Sequence, residues 1–170
     1  APGNTVDIKA VVAPSAKAAA EFYPSNYWFS LLQPPAKSEF PGTGANGINA
    51  NMKSQAMWLR LMKTDSCESC HPLGGPGTRK LPANLGKFNS SAEAWERRVQ
   101  SGQAGAQMLG GLNNMGKARA TKMFGDWTDR IAAGEYPKEA PPRPQGVERN
   151  VVITQWDWAG PTVYLHDEVA

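Results

Sequence analysis

The sequence is poor in the residues that bind metals and carry redox chemistry, with two cysteines and two histidines in 170 residues. A closed structural zinc site takes four ligands. Cys67, Cys70, His71 and the distant His166 are the whole supply of such ligands, so that site would have to use His166 or borrow a carboxylate. Long apolar runs are also missing. No stretch of about 18 apolar residues exists, which leaves no candidate for a membrane-spanning helix. Nor is charge of one sign concentrated: the net charge is +3 with the basic residues dispersed, and that is not the footprint of a nucleic-acid binder. Hydrophobic residues make up only 41 %, whereas 17 glycines and 14 prolines are present, so long irregular segments are expected around a modest core.

Both cysteines fall in one motif, Cys67-Glu-Ser-Cys70-His71. Cys-x-x-Cys-His is the attachment signature of c-type haem: two thiols three residues apart can each add to a vinyl group of one porphyrin, and the adjacent imidazole falls under the iron. A thioredoxin-like dithiol belongs at a strand-to-helix turn with its first thiol at a helix N-terminus, whereas this pair follows a helix-like run. A structural disulfide closing so short a loop constrains the unfolded chain little. One covalent haem c is therefore expected, with His71 as proximal ligand. A haem would also supply apolar core that the composition withholds. Covalent haem is normally attached outside the cytoplasm, and Ala1 opens directly into polar sequence. A leader or larger N-terminal part is thus expected to have been removed, with a periplasmic or extracellular location.

Periodicity divides the chain into an N-terminal extension (1–47), a haem domain (48–135) and a proline-rich linker with a C-terminal tail (136–170). In the first, Thr5-Val-Asp-Ile-Lys-Ala-Val-Val12 alternates like a short strand, and one short helix is expected near 25–32 with ordered loop elsewhere. In the second, Asn49 can cap a helix reaching about Thr64, with Met52, Met57, Trp58, Leu61 and Met62 on its apolar face. Ser90 and Glu93 form a capping box for a helix through about Ser101, stopped by Gly102. A further helix is expected from Lys117 to Ala133, with Gly134 as its stop. Residues 103–116, rich in Gly and Asn, read as a loop that could let backbone cross close to a porphyrin. In the third, Pro137, Pro141, Pro142 and Pro144 exclude regular structure, while 150–158 has strand propensity.

The sixth position of the iron has several candidates. Met52, Met57 and Met62 precede the motif at helical spacing and Met123 sits within the last helix, so all four read as core. Met108 and Met115 remain, both in the 103–116 segment. His166, or no protein ligand at all, is the other option, and an open position would allow gas or peroxide chemistry. Asp126, Asp129 and Glu135 read as solvated helix charges, and no second constellation of acid, base or nucleophile accompanies the motif.

Helix, attachment motif, loop, helix, Met-bearing segment, helix: in this order residues 55–135 resemble a class I c-type cytochrome. The resemblance implies a mainly α haem domain with irregular, partly β extensions. It implies Met108, shortly after the Ser-Gly that closes a helix, as distal ligand ahead of Met115. It also implies a proline carbonyl as acceptor for the His71 Nδ1–H, here Pro82, with Pro76 the lesser alternative. More closely, Asn26-Tyr-Trp-Phe-Ser30, Trp95-Glu-Arg-Arg-Val-Gln-Ser-Gly-Gln-Ala-Gly105, Gly125-Asp-Trp-Thr-Asp-Arg-Ile131, Pro142-Arg-Pro-Gln-Gly146 and Trp156-Asp-Trp158 resemble the cytochrome segment of bacterial secreted multidomain proteins. Those place a carboxypeptidase-regulatory-like β-sandwich before it and a streptogramin-lyase-like β-propeller after it. The role expected from this resemblance is that of an electron-carrying module rather than a catalyst. It would serve a dehydrogenase or propeller-type partner as part of a larger assembly or chain, with Lys63, Arg79, Lys80 and Lys117 as docking charges. The alternative is a haem enzyme or sensor with an open distal position.

Overall fold

The computed structural model describes residues 9, 11–70, 72–143 and 145–147. Over these the chain is mainly helical, with no strand among the described residues. The expected N-terminal strand lies mostly outside the described residues, and its described positions 9, 11 and 12 are irregular. The strand-like tail at 150–158 lies wholly outside them.

Eight α-helices follow in chain order: α1 (Ala16–Ala20), α2 (Ser25–Phe29), α3 (Gln55–Arg60), α4 (Cys67–Cys70), α5 (Pro76–Arg79), α6 (Ser91–Arg98), α7 (Gly105–Met115) and α8 (Lys117–Ala132). Local chemistry sets most of the boundaries. Ser15, Ser54 and Ser90 each cap a helix, their Oγ accepting from the N–H of Ala18, Met57 and Glu93, which satisfies donors that have no partner inside the helix. The Glu93 carboxylate turns back to accept from the Asn89 N–H at 3.0 Å. Gly102 and Gly134 take φ of +79° and +105° after α6 and α8, in keeping with their expected role as helix stops.

Three expectations change. The helix before the motif starts at Gln55, because Ser54 and not Asn49 caps it. Asn49 instead accepts from the Asn51 N–H in a tight turn and donates through Nδ2 to the Asn113 carbonyl, so Met52 is buried from a turn and Met57 is exposed. The Ala-rich stretch after Ser15 is helical rather than loop. Most of the segment 103–116 is helix α7 rather than loop: Met108, Leu112 and Met115 recur at i, i+4 and i+7 on one face, and burial of that face outweighs the cost of its glycines.

Four indoles stitch the core together. Trp28, Trp58, Trp95 and Trp127 are each at most 4 % exposed, and each N–H finds an acceptor: the carbonyls of Ala20 (2.8 Å), Met115 (3.1 Å) and Trp28 (3.2 Å) for Trp28, Trp58 and Trp127, and the Thr128 hydroxyl for Trp95. A buried indole left without an acceptor would cost the desolvation of its N–H. Because Trp28 both donates to α1 and receives α8, the segment before residue 48 belongs to the same core as the helices after it. Beyond Gly134 the chain runs irregularly through 135–143, in keeping with its prolines.

Candidate cofactor cleft

Helix α3 leads to the cysteines through an irregular exit. Its last turn widens into a π-turn at Leu61–Asp65, and Ser66 breaks the helix with φ −146° and ψ −107°. Such one-residue dilations often mark functional sites. Here it precedes the single helical turn that carries Cys67 and Cys70, both free thiols. That turn is held from both ends: the Ser69 N–H donates to the Ser66 carbonyl, and Glu68 Oε1 accepts from the Leu73 N–H at 3.0 Å. Downstream, the Thr78 hydroxyl faces the carbonyls of Pro72, Leu73 and Gly75. Gly74 presses its backbone on α2, where a Cβ would lie 1.8 Å from the Ser25 carbonyl oxygen.

Cys67 and Met108 meet at one small cavity. Its walls are Cys67, Leu73, Thr78, Trp95, Arg98, Val99, Met108, Leu112 and Phe124, around about 40 Å³. Trp95 and Phe124 stack at 4.8 Å between ring centroids, forming the floor between α6 and α8. Burial pushes the Cys67 thiol above its ordinary value, outweighing the Ser66 hydroxyl beside it, whose Oγ lies 3.8 Å away. Arg98 is 3 % exposed and gives its guanidinium to the carbonyls of Gly77, Thr78 and Lys80. Burial lowers its pKa to about 10.

The remaining sequence candidates fall elsewhere. Met115 is fully buried under Trp58 and does not line the cavity; its carbonyl accepts both the Trp58 indole and the Asn49 N–H. Pro82 is buried at the start of a short 3₁₀ turn, and its carbonyl accepts from the Leu85 N–H at 3.1 Å, which leaves one lone pair for another donor. Pro76 opens α5. His71 and His166 lie outside the described residues. Arg79 is no docking charge: it is 1 % exposed, paired with Glu21 at 2.7 Å and laid on the Trp28 ring. Lys80 also reaches Glu21, and Lys117 pairs with Glu96. Of these four, Lys63 is set 5.7 Å over the Phe29 ring and makes no ion pair among the described residues. Asp126 pairs with Lys122 and Glu135 with Arg130, while Asp129 accepts from the Ser91 hydroxyl.

No family model matches this sequence, and no curated protein or solved structure is similar to it at a level that marks a relative.

A covalent haem would demand apolar walls, two thiols on one turn and a soft donor facing them. The residues fit that chemistry: Cys67 and Cys70 share a turn, Cys67 and the Met108 thioether line one cavity, and its walls are mainly aliphatic and aromatic. A cofactor pocket holds roughly 300–1,000 Å³, so the walls must part by far more than 40 Å³ to seat a porphyrin. On one side lies the stretch 66–88, in which no regular element among the described residues is longer than four residues. Against it stands the rigid α6–α8 pair, where a Cβ on Gly125 would come 2.8 Å from the Ala92 nitrogen.

Proposed function

We propose that this chain is a class I cytochrome c-like electron carrier, holding one haem c through Cys67 and Cys70 with His71 and Met108 as axial ligands. The observation that carries the reading is the shared cavity of Cys67 and Met108: a thiol of the attachment motif and a thioether 41 residues further on line one mainly apolar space. When bound, the haem supplies a one-electron redox centre whose potential methionine ligation raises. The protein's own part is to bind and to exclude water. The α6–α8 floor offers Trp95, Val99 and Phe124 to the macrocycle, and Arg98 ties the loop from Gly77 to Lys80 against that floor. The Pro82 carbonyl is the acceptor this reading gives to the His71 ring, fixing its tautomer.

A carrier of this kind works outside the cytoplasm and passes electrons to a partner protein or neighbouring domain of the dehydrogenase or propeller type. Its port would be the exposed Cys70 side of the attachment turn, with Lys63 as a docking charge. The ligand assignment is tested by the red charge-transfer band that methionine ligation gives ferric haem. It should be present in the native protein and in Met115→Leu, and absent in Met108→Ala. A band that survives in Met108→Ala and disappears in Met115→Leu would move the distal ligand to Met115. Native protein that carries covalent haem yet is high-spin and takes up carbon monoxide at once would favour the open-site enzyme or sensor.

A further inference from the structure

Helix α7 contains two adjacent glycines that the structure treats differently. A Cβ built on Gly110 meets nothing within 4 Å. A Cβ on Gly111 would lie 1.9 Å from the Ser66 Oγ and 3.1 Å from the Ser66 Cβ. Ser66 is the residue immediately before Cys67, at the break that ends the π-turn, and Gly111 is buried. Met108 precedes Gly111 by three residues, one turn away on the same helix face. The bare backbone at 111 is therefore where the methionine-bearing helix rests on the cysteine-bearing segment.

We infer that Gly111 is a positioning residue, setting how closely the Met108 thioether approaches the group held at Cys67. The inference rests on the reading of Met108 as distal ligand. A hydroxyl at Ser66 can rotate away from an added methyl, but the Ser66 Cβ is fixed by the backbone. Carbon atoms in favourable contact lie about 3.5–4.0 Å apart, so the 3.1 Å contact must open by several tenths of an ångström. That displacement acts one turn from Met108, on a bond that tolerates little lengthening.

The test uses the haem-loaded protein and the affinity of ferric iron for added imidazole, which competes with the methionine sulfur. Gly111→Ala should bind imidazole at least about tenfold more tightly than the native chain and lose intensity in the red charge-transfer band. Gly110→Ala makes the same change in helix propensity and should leave both readouts unchanged. The double variant Ser66→Gly/Gly111→Ala removes both contacting atoms and should return them to native values. A Gly111→Ala protein with native imidazole affinity overturns the inference, as does a double variant that fails to recover. Should Gly111→Ala alone not fold, recovery of a folded, methionine-ligated protein in the double variant supports the inference, and its absence overturns it. Failure of the underlying reading looks different: the native protein itself would lack haem or the methionine band.

Discussion

Cys67 and Cys70 are one helical turn apart and chemically unequal. Burial raises the Cys67 thiol, whereas Cys70 is exposed. The thiolate is the reacting species, so in the haem-free chain Cys70 should be alkylated well before Cys67 at neutral pH. Mass mapping after brief treatment with a thiol reagent checks this; equal labelling, or Cys67 reacting first, would mean that the cavity wall is open to water. The same inequality bears on attachment. Cys67 lines the apolar space and Cys70 does not, so one thiol lies inward and the other meets solvent. Arg98 makes a second residue-scale contrast. A basic residue in the last turn of a helix normally complements the helix dipole, and nothing in the sequence marks this one as a buried tie to three carbonyls of the attachment loop.

At the scale of elements, α7 and α8 are joined by the single residue Gly116. Gly116 takes φ +100°, and a Cβ there would come 2.2 Å from the Gly47 carbonyl oxygen and 2.5 Å from the Asn49 nitrogen. Both the backbone angle and the contacts exclude a side chain. Gly116→Ala should therefore destabilise by roughly 3 kcal/mol, measured as a lower denaturation midpoint, whereas Gly110→Ala should gain up to about 1 kcal/mol. A Gly116→Ala protein as stable as the native one would contradict the junction described. The legibility of each element in the sequence has the same physical basis. Helix α6 is legible because a Ser cap, a Gly stop and an apolar stripe agree, and α8 because its apolar stripe ends at a Gly stop. Helix α7 is not, since Gly105, Gly110, Gly111 and two asparagines give it the local look of a loop. Only the contacts of Leu112, Met115 and Gly111 with distant residues make it helical. The start of α3 departs from its sequence signal for a related reason: Asn49 is a good cap, but its side chain is spent on Asn51 and Asn113. The motif at 67–71 and the candidacy of Met108 needed only sequence, while the walls from Leu73, Val99, Leu112 and Phe124 needed the fold.

For the molecule as a whole, the residues before 48 are clamped to those after it by ion pairs at two glutamates. Glu21 meets Arg79 and Lys80, and Glu39 grips Arg119 through two hydrogen bonds of 3.0 Å. Burial alone would raise the Glu21 carboxyl, but the Arg79 hydrogen bond and the charges of Lys80 and Arg79 outweigh it, so its pKa lies below the ordinary 4.5. The Arg119 hydrogen bond, with help from the Ala36 N–H, does the same for Glu39. Carboxyls lowered in the folded state stabilise it fully above their unfolded pKa and lose that effect as pH falls through the folded one. The thermal midpoint should accordingly be insensitive to these groups from about pH 5 to 8 and decline in acid below pH 4.5. In Glu21→Gln/Glu39→Gln the acid decline should be shallower, from a lower plateau. An identical acid profile in the double variant would show that the clamps add nothing.

No helix among the described residues is long and apolar enough to cross a membrane, and the core is one cluster running from Ala20 to Ile131. One cavity against that cluster is lined by both Cys67 and Met108, and what fills it decides the proposed function. The most direct measurement is the pyridine haemochrome spectrum, with the intact mass, of the chain produced in a host that matures c-type cytochromes. The native chain should show a c-type haemochrome and a mass gain of one haem that resists acid–acetone extraction, both lost in Cys67→Ala/Cys70→Ala. A native chain recovered from that host folded, with free thiols and no covalent haem, would contradict the proposed function.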